Sequence, residues 1–330
     1  RGLGDVYKRQ GEINQLAAAQ ARANSGHDMI LLLSSQAYLE DYVIDHKEIY
    51  EECRRQFGDA HDFTLRSCLN PVTKKHHGLC ESYIPTVLTY RRDLWDAVGK
   101  TPANWESVYK GGRAIKLLHE TSVGISLAAE HNAEHSLRAL MLSFGSMIQD
   151  EGGNIALKSQ ETLDVLKFSK SLFEDAMGPE VLGWNPTSNN RSMLSGNASL
   201  TIDTMSIIRT AENKSFPVEQ DLSLALLPEG PAGRVGPAFG SNTYKIWKFA
   251  QNPEAAKKFL VDYSGRFHEG IKYSGFQNMP SFPGSVPDLD SQTGSDGRYA
   301  LLSEVPATLT NMGGPGYSSV VTDEIYSQGI

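Results

Sequence analysis

The stretch YIPTVLTYRRDLWDAVGKTPANWE, residues 83–106, carries several local structural signals in a fixed order. Residues 84–90 are rich in β-branched and aromatic side chains, which favour a strand. Residues 93–98 have a helical pattern, and Gly99 can end that turn because glycine readily adopts the left-handed conformation. Asn104 stands where a helix N-cap is needed, directly before a new helical pattern. This order predicts a strand, a turn of helix and a second, capped helix.

Helical and strand patterns alternate along the rest of the chain. Ser159 can cap a helix whose apolar stripe consists of Leu163, Leu166 and Phe173. Further helices are predicted at residues 12–24 and 253–263, and strands at residues 29–33, 123–127, 199–203 and 222–226. This alternation predicts an α/β fold.

Composition excludes several classes of protein. The 330 residues, of which 40% are hydrophobic, suffice for two sizeable cores and exclude a disordered chain. No apolar run approaches the roughly 18–20 residues that a membrane-spanning helix needs. The net charge of −8 argues against a nucleic-acid-binding protein, because phosphate backbones require clustered lysine and arginine.

The two ends of the chain have unusual features. Residues 5–10, DVYKRQ, match the translation of a transposase adapter used in shotgun sequencing; the alternative is an ordinary mixed-charge stub. We interpret residues 1–10 as non-native and expect native sequence from Gly11. The chain stops at Ile330 without a closing helix. We therefore expect a fragment truncated at both ends, with its signal sequence missing.

Two patterns raise the question of a metal. The three cysteines, Cys53, Cys68 and Cys80, lack the close paired spacing that zinc sites favour, and they fit either one disulfide or buried free thiols. Residues 131–135, HNAEH, match the H-x-x-E-H pattern of zinc peptidases, which would use His131, Glu134 and His135. Such loose matches are often coincidence, so we predict no metal, no cofactor and no catalytic residue.

Several segments resemble family 1 of the extracellular solute-binding proteins, which serve ABC importers. Tyr90 and residues 93–95 keep that family's Y-N-K-D-L-F pattern, whereas Arg91 stands where asparagine is usual. The likeness continues through SNNRSMLSGNASLTID, residues 188–203, and through LLPEGPAGRVGPAFGSNTYKIWKFAQNPEAAKKFLVDY, residues 226–263. Each segment alone is a weak signal, and their shared order along the chain is what carries the resemblance.

The resemblance implies a two-lobe α/β fold of the periplasmic-binding-protein type (type II), with hinge strands and an interlobe cleft. It places lobe 1 at residues 11–86 plus 241–282 and lobe 2 at residues 87–240 plus 283–330. The chain would cross between lobes near residues 85–88, near residues 236–240 and again after Met279, and hinge closure would bury the ligand. The expected protein is a monomer outside the cytoplasm, periplasmic or lipid-anchored, and its partner is a transmembrane permease.

Polar loops at predicted strand ends suggest which residues contact the ligand. The candidate ligand-binding residues are Ser35, Gln36, Tyr83, His131, Glu134, Trp184, Asn185, Asn189, Asn190, Asp203, Ser241 and Gln277. Amides, hydroxyls, carboxylates and aromatic faces suit a mono- or oligosaccharide, which we predict as the ligand.

Alternatives remain open for both the residues and the ligand. Asn189 and Asn190 can simply cap a helix, Trp184 can pack within its lobe, and Asp203 can accept backbone N–H groups. A polyamine or other small polar solute is the second ligand class, and it would need several carboxylates such as Glu134 and Asp203 together. A zinc-dependent hydrolase is the rival from another functional class.

Overall fold

The computed structural model describes residues 3–32, 36–150, 154–271, 273–289 and 299–310, and in it the chain divides into two units. The first unit comprises the described residues of 1–84 and 238–289. The second unit comprises the described residues of 85–237 and 290–316. The chain therefore passes from the first unit to the second between Ile84 and Pro85, and returns between Pro237 and Ala238.

Both units combine helices with strands. The α-helices are α1 (Leu3–Ala23), α2 (Lys47–Phe57), α3 (Asp62–Ser67), α4 (Arg92–Ala97), α5 (Trp105–His119), α6 (His131–Ser143), α7 (Gln160–Ala176), α8 (Ser188–Leu194), α9 (Ser206–Lys214), α10 (Pro253–Gly265) and α11 (Phe267–Gly270). The strands are β1 (Met29–Leu32), β2 (Leu79–Ile84), β3 (Val87–Arg91), β4 (Ser122–Val123), β5 (Ala198–Asp203), β6 (Leu222–Ala225), β7 (Gly236–Pro237), β8 (Phe239–Ile246), β9 (Met279–Pro280) and β10 (Leu309–Thr310). Short 3-10 helices include Ala37–Tyr42 and Pro179–Gly183.

The first unit is built on an antiparallel sheet with the strand order β1-β8-β2-β9. Helices α2 and α10 cover one of its faces, where Leu79 and Ile246 pack with Ile49, Leu260 and Phe282. All five side chains are buried, and apolar area removed from water in this way stabilises a fold by roughly 25 cal/mol per Å².

The second unit is built on a sheet with the strand order β4-β5-β3-β6. Every residue of β5 is buried, as expected for a strand with neighbours on both edges and helices packed against it. The core of this unit contains Trp95, Trp105, Leu88, Leu200 and Ile202. Strands β7 and β10 form a separate parallel pair.

The opening stretch folds as predicted at its helices and differently at its strand. Helix α4 closes before Gly99, which has φ of 64°, and Asn104 caps α5 by accepting a hydrogen bond from the Ser107 amide at 2.8 Å. The predicted strand at residues 84–90 is interrupted, because Pro85 and Thr86 separate β2 from β3. Proline has no amide to donate to a sheet, so a break there is physically reasonable.

Replacement of Asn104 by alanine tests how much this cap contributes. The change leaves an amide of the first turn of α5 without its partner, so we expect the second unit to lose about 1 kcal/mol of its free energy of unfolding. Urea unfolding followed by circular dichroism measures the effect. Thr101→Ala, at an exposed position before the helix, is the matched control, and an equal loss in both variants would contradict the role of the cap.

Other predicted elements need correction. Ser159 does cap α7, but the predicted stripe is only partly right: Phe173 packs against the core, whereas Leu163 and Leu166 are exposed. Val165 and Leu172 are buried in the core in their place. Apolar residues recur on more than one face of α7, and tertiary packing selects the face that is buried. The strand predicted at residues 123–127 is only β4, and the helix predicted to begin at residue 12 already begins at Leu3.

The cysteines and the membrane question have direct structural answers within the described residues. Cys53, Cys68 and Cys80 are buried free thiols. Among the residues that the structure describes, no group of three or more His, Cys, Asp or Glu side chains is arranged to hold a metal ion. The described helices include none with the length and apolar character needed to cross a bilayer.

Candidate functional site

The carboxylate of Asp203 lies at the end of β5, the strand flanked by β3 and β4. Its Oδ1 accepts a hydrogen bond from the Thr204 amide at 2.6 Å, and its Oδ2 accepts one from Asn189 Nδ2 at 2.6 Å. The carboxylate is thus held by one backbone and one side-chain donor. Charge-assisted bonds of this kind are shorter and stronger than neutral ones.

Two amide side chains continue from this carboxylate towards α6. Asn132 Nδ2 donates to Asn189 Oδ1 at 3.0 Å and also to the Pro186 carbonyl at 2.9 Å. Asn132, Asn189 and Asp203 therefore form a hydrogen-bonded series, which we call the amide–carboxylate chain. All three side chains are buried, so the chain holds fixed polar groups in surroundings of low dielectric constant.

Glu130 positions the α6 end of the amide–carboxylate chain. Its carboxylate caps α6 by accepting hydrogen bonds from the amides of Asn132 at 2.8 Å and Ala133 at 2.7 Å. A negative charge at a helix N-terminus is favoured by the helix dipole. Glu130 is not among the residues predicted from the sequence, although an acidic residue directly before a helical pattern is a recognisable cap signal.

The ionisation of Asp203 is shifted by this environment. Burial raises its pKa to about 6, and the nearby charge of Glu130 acts in the same direction. The hydrogen bonds from Thr204 and Asn189 oppose this shift but do not cancel it. Perturbed carboxylates cluster at functional sites, so the shift supports Asp203 as a site residue alongside the geometry.

Helix α8 carries the remaining predicted residues of this region. Asn190 Nδ2 donates to Ser206 Oγ at 2.9 Å, and Asn185 Oδ1 accepts from the Thr187 amide at 3.1 Å. Asn189 and Asn190 therefore lie within α8 and do not cap it, while Asn185 stabilises the turn before it. Trp184 is half-buried and packs against the core of the second unit.

Glu134 and His131 also lie on α6. The Glu134 carboxylate forms an ion pair with Arg138 at 2.6 Å, so a cation already neutralises it. His131 is the first residue of α6, and its side chain lies outside the described part of the structure.

Two predicted residues of the first unit, Tyr83 and Ser241, are paired at one end of its sheet, and a third, Gln277, is near β9 in the sequence. Tyr83 in β2 pairs with Ser241 in β8 on one side and with Met279 in β9 on the other. Gln277, which is half-buried, lies two residues before Met279. The backbone of Ser241 is described, whereas its side chain is not.

Tyr83 and the loop after β1 hold three of the predicted ligand contacts of the first unit. The Tyr83 ring is only 1% exposed and packs edge-on against Phe63, with the ring centroids 5.1 Å apart. Gln36 precedes the 3-10 helix Ala37–Tyr42 and adopts a left-handed backbone with φ of 46°. Ser35 lies outside the described residues.

The second-unit site has a defined hydrogen-bonding capacity. The Asn132 and Asn190 side chains each donate within the described residues, while their carbonyl oxygens accept no hydrogen bond from them. A carbonyl oxygen can accept up to two hydrogen bonds. The Asn132 and Asn190 carbonyl oxygens therefore keep acceptor capacity that the described hydrogen bonds do not use.

Comparison with known proteins places this architecture. The chain matches the model of the bacterial extracellular solute-binding proteins over residues 9–261. It is 23% identical over 190 residues to a binding protein of Brucella abortus (strain 2308), covering 56% of this chain and 46% of the relative. The chain thus spans about half the length of the curated relatives that it matches.

Solved structures of similar fold are solute-binding proteins. The sugar transporter protein from Arthrobacter chlorophenolicus A6 with bound laminaribiose has a TM-score of 0.75 at 17% identity, covering 94% of this chain and 79% of that one. The maltose-bound MalE3 of T. maritima has a TM-score of 0.74 at 18% identity, covering 95% and 81%. These likenesses show the α/β fold of periplasmic binding proteins, as predicted from the sequence.

The fold is therefore that of the periplasmic binding proteins. The match over residues 9–261 makes the assignment specific: this chain belongs to the family of bacterial extracellular solute-binding proteins. The resemblance inferred from the sequence segments is confirmed.

Proposed function

We propose that this chain binds a carbohydrate and delivers it to the transmembrane permease of an ABC importer. The observation that carries the proposal is the amide–carboxylate chain of Asn132, Asn189 and Asp203, which is buried, fully positioned and adjacent to open acceptors. Membership of a solute-binding family and the sugars bound by structural neighbours, laminaribiose and maltose, support the same ligand class. No bond of the solute is made or broken in this role.

The chemistry of the site favours a neutral polyhydroxy ligand. Sugar hydroxyls donate and accept, so they can satisfy amide and carboxylate oxygens at once. A buried polar group left unpaired costs about 1–3 kcal/mol, and a ligand lacking the matching hydroxyl is rejected by that amount. The half-buried Trp184 adds an aromatic face suited to the apolar side of a sugar ring.

A polyamine is the weaker candidate on the same geometry. A multivalent cation needs several ionised carboxylates, yet Glu134 is already paired with Arg138. Burial also raises the pKa of Asp203 to about 6, which reduces its tendency to carry charge in mildly acidic solution. The site therefore offers less negative charge than the sequence alone suggests.

We further propose the domain arrangement and setting expected of such a receptor. Lobe 1 would comprise residues 11–86 plus 241–282 and lobe 2 residues 87–240 plus 283–330, except that residues 283–289, which lie in the first unit of the structure, would belong to lobe 1. The ligand would be enclosed between the lobes on hinge closure. Other predicted contacts, which are Gln36, Ser241 and Gln277, would approach the ligand from lobe 1. The protein would act as a monomer, either periplasmic or lipid-anchored.

Isothermal titration calorimetry with matched variants tests the proposal. Laminaribiose, maltose and ribitol, which structural neighbours bind, are the probes, and spermidine is the competing class. We expect heat of binding from at least one carbohydrate and at least a tenfold weaker affinity in Asn189→Ala, because one lost buried hydrogen bond of about 1.4 kcal/mol corresponds to tenfold. Asn197→Ala, at an exposed position of the same unit, should bind like the unmodified chain.

Two results of this titration would contradict the proposal. Binding of spermidine with no carbohydrate response would replace the ligand class. Equal affinity in Asn189→Ala and Asn197→Ala would show that the amide–carboxylate chain does not serve the ligand. The folded state of each variant is checked beforehand by its far-ultraviolet circular dichroism.

A further inference from the structure

Glu81 occupies an irregularity in the pairing of β2 with β8. Cys80 pairs with Thr243 and Ser82 pairs with Asn242, so Glu81 is an extra residue without an opposite partner. Such a β-bulge locally disrupts the ladder and turns the side chain of the extra residue in a new direction. Bulges are frequent next to functional sites, so the Glu81 carboxyl group is a candidate for a functional role.

The Glu81 carboxyl group is buried with one oxygen unpartnered. The residue is 4% exposed, and its Oε1 accepts a hydrogen bond from Ser82 Oγ at 3.0 Å. Ser82 Oγ in turn accepts from Asn242 Nδ2 at 3.3 Å, which links the two strands. Among the described residues, Oε2 has no hydrogen-bond partner, although buried charges are normally paired.

No basic side chain of the described residues compensates a charge on Glu81. Burial raises its pKa to about 7, and the hydrogen bond from Ser82 and the nearby amide of Asn242 oppose this shift only in part. The titratable side chains on the elements that pack around β2 include Tyr244 and Lys245 on β8, Tyr263 on α10, Tyr50 on α2, Cys68 after α3 and His61 before α3. The buried Lys245 ammonium lies 2.9 Å from His77 Nδ1 and also donates to the His77 carbonyl. Burial raises the pKa of Tyr244 and lowers that of His61, so neither gains a charge near neutral pH.

The bulge lies next to the place where the chain leaves the first unit. A second irregularity follows directly, because Tyr83 pairs with Ser241 while Ile84 pairs with Phe239. Between the two irregularities, regular pairing is confined to Ser82 with Asn242 and Tyr83 with Ser241. We call these two pairs the crossing ladder. The ladder holds predicted ligand contacts and ends at the passage to the second unit.

We propose that Glu81 is a proton-controlled positioning residue for the crossing ladder. When its carboxyl group is protonated, the group is neutral and its burial beside Ser82 and Asn242 is tolerated. When the proton leaves, an uncompensated charge remains inside the unit, and the ladder must open for water to reach it. This role of Glu81 concerns the pairing of β2 with β8 and is the same for any solute that the protein binds.

Hydrogen exchange measured at several pH values tests the proposal on the intact chain. Opening would let Glu81 return to its ordinary pKa of 4.5, so linkage favours the open ladder as pH rises. After correction for intrinsic exchange, protection of the amides in the crossing ladder should fall roughly 10- to 30-fold between pH 5.5 and 8.0. Protection of the Leu260 and Val261 amides in the core of the first unit should not fall over this range, because the buried His46 and His77 stabilise the whole unit as the pH rises.

Glu81→Gln is the decisive variant because it keeps the shape and removes the titration. We expect its ladder protection to be independent of pH, whereas Glu51→Gln, at an exposed site of the same unit, should behave like the unmodified chain. The same pH dependence in Glu81→Gln and in the unmodified chain would overturn the proposal.

Carbon-13 NMR of the Glu81 carboxyl group in the unmodified chain supplies an independent measurement. A midpoint near 7 supports the proposal, and a midpoint near 4.5 overturns it. This measurement decides the matter alone if Glu81→Gln does not fold.

Discussion

Acidification from pH 7 to pH 4.5 is expected to remove about 5 kcal/mol of stabilisation from the first unit through two buried histidines, His46 and His77. Burial lowers the pKa of His46 to about 3 and that of His77 to about 2, and the charge of Lys245 acts in the same direction on both. In the unfolded chain each would titrate near 6.5. Only the unfolded state therefore takes up these protons over this range.

The contacts of His46 and His77 explain why neither side chain takes up a proton in the folded state. His46 Nε2 accepts from the Ile246 amide at 3.0 Å, and its Nδ1 lies 3.2 Å from the His76 carbonyl, to which it can donate. A proton on Nε2 would make it a second donor facing the donating Ile246 amide, and their hydrogen bond would be lost. Nδ1 of His77 lies 2.9 Å from Lys245 Nζ, so protonation there would bring two cations together.

The sign of the pH dependence follows from the lowered pKa values. The stabilisation is fully present above pH 6.5, and each histidine loses about 1.4 kcal/mol per pH unit as the pH falls below that value. Glu81 has the opposite sign, since its raised pKa of about 7 makes the folded state gain stability on acidification over the same window. The two contributions must therefore be separated by variants.

Urea unfolding at pH 7.0, 6.0, 5.0 and 4.5 separates them. His46→Gln and His77→Gln should be less stable than the unmodified chain at pH 7, and the difference should shrink by about 1.4 kcal/mol per pH unit below 6.5. His119→Gln, on the exposed end of α5, should follow the unmodified chain at every pH. A stability difference that stays constant with pH would refute the assignment of acid sensitivity to these side chains.

Local signals explain which parts of the fold could be predicted from the sequence. The caps at Asn104 and Ser159 depend on residues three positions away, so their side chains and the amides they bind are adjacent in the chain. The stripe of α7 could not be predicted as reliably, because Leu163 and Val165 lie on different faces and only the neighbouring elements decide which is buried.

The candidate site likewise has residues that local sequence signals predict and residues that only tertiary contacts bring into it. Asn189 and Asp203 stand in one dense polar segment and were predicted, and the structure brings them within 2.6 Å of each other. Asn132 joins them only because α6 packs close to α8, a contact across 57 positions that no local pattern announces. The role of Glu81 could not be predicted for a related reason. A bulge is defined by the pairing register of β2 with β8, and the sequence of β2 alone does not contain that register.

Trp95→Ala is expected to destabilise the second unit by about 4 kcal/mol, within the range of roughly 3–5 kcal/mol measured for buried tryptophan truncations. Trp95 is fully buried in the core, and its Nε1 donates to the Ser199 carbonyl of β5 at 3.1 Å. The substitution leaves both a cavity and a buried acceptor without its donor. Trp95→Phe, which keeps most of the volume, should lose about 1–2 kcal/mol through the missing hydrogen bond and a smaller void.

Urea unfolding of the two variants measures these losses. Leu118→Ala is the control, since this side chain on α5 is 70% exposed and its truncation removes little buried area. A loss in Trp95→Ala no larger than that in Leu118→Ala would contradict the placement of the indole in the core.

Gly111 gives a sharper test, because the sign of its substitution should depend on Trp95. A Cβ atom at Gly111 would lie 2.3 Å from Cζ3 of the indole, so Gly111→Ala should destabilise the unmodified chain by about 1–3 kcal/mol. In the Trp95→Ala background the obstruction is gone, and alanine is favoured over glycine inside a helix by about 1 kcal/mol. Gly111→Ala should then stabilise, and the double-mutant cycle should give a coupling of about 2–4 kcal/mol. Additive effects in the cycle would mean that α5 does not rest on this indole, and that the close packing of α4 beneath α5 is not what fixes the core of the second unit.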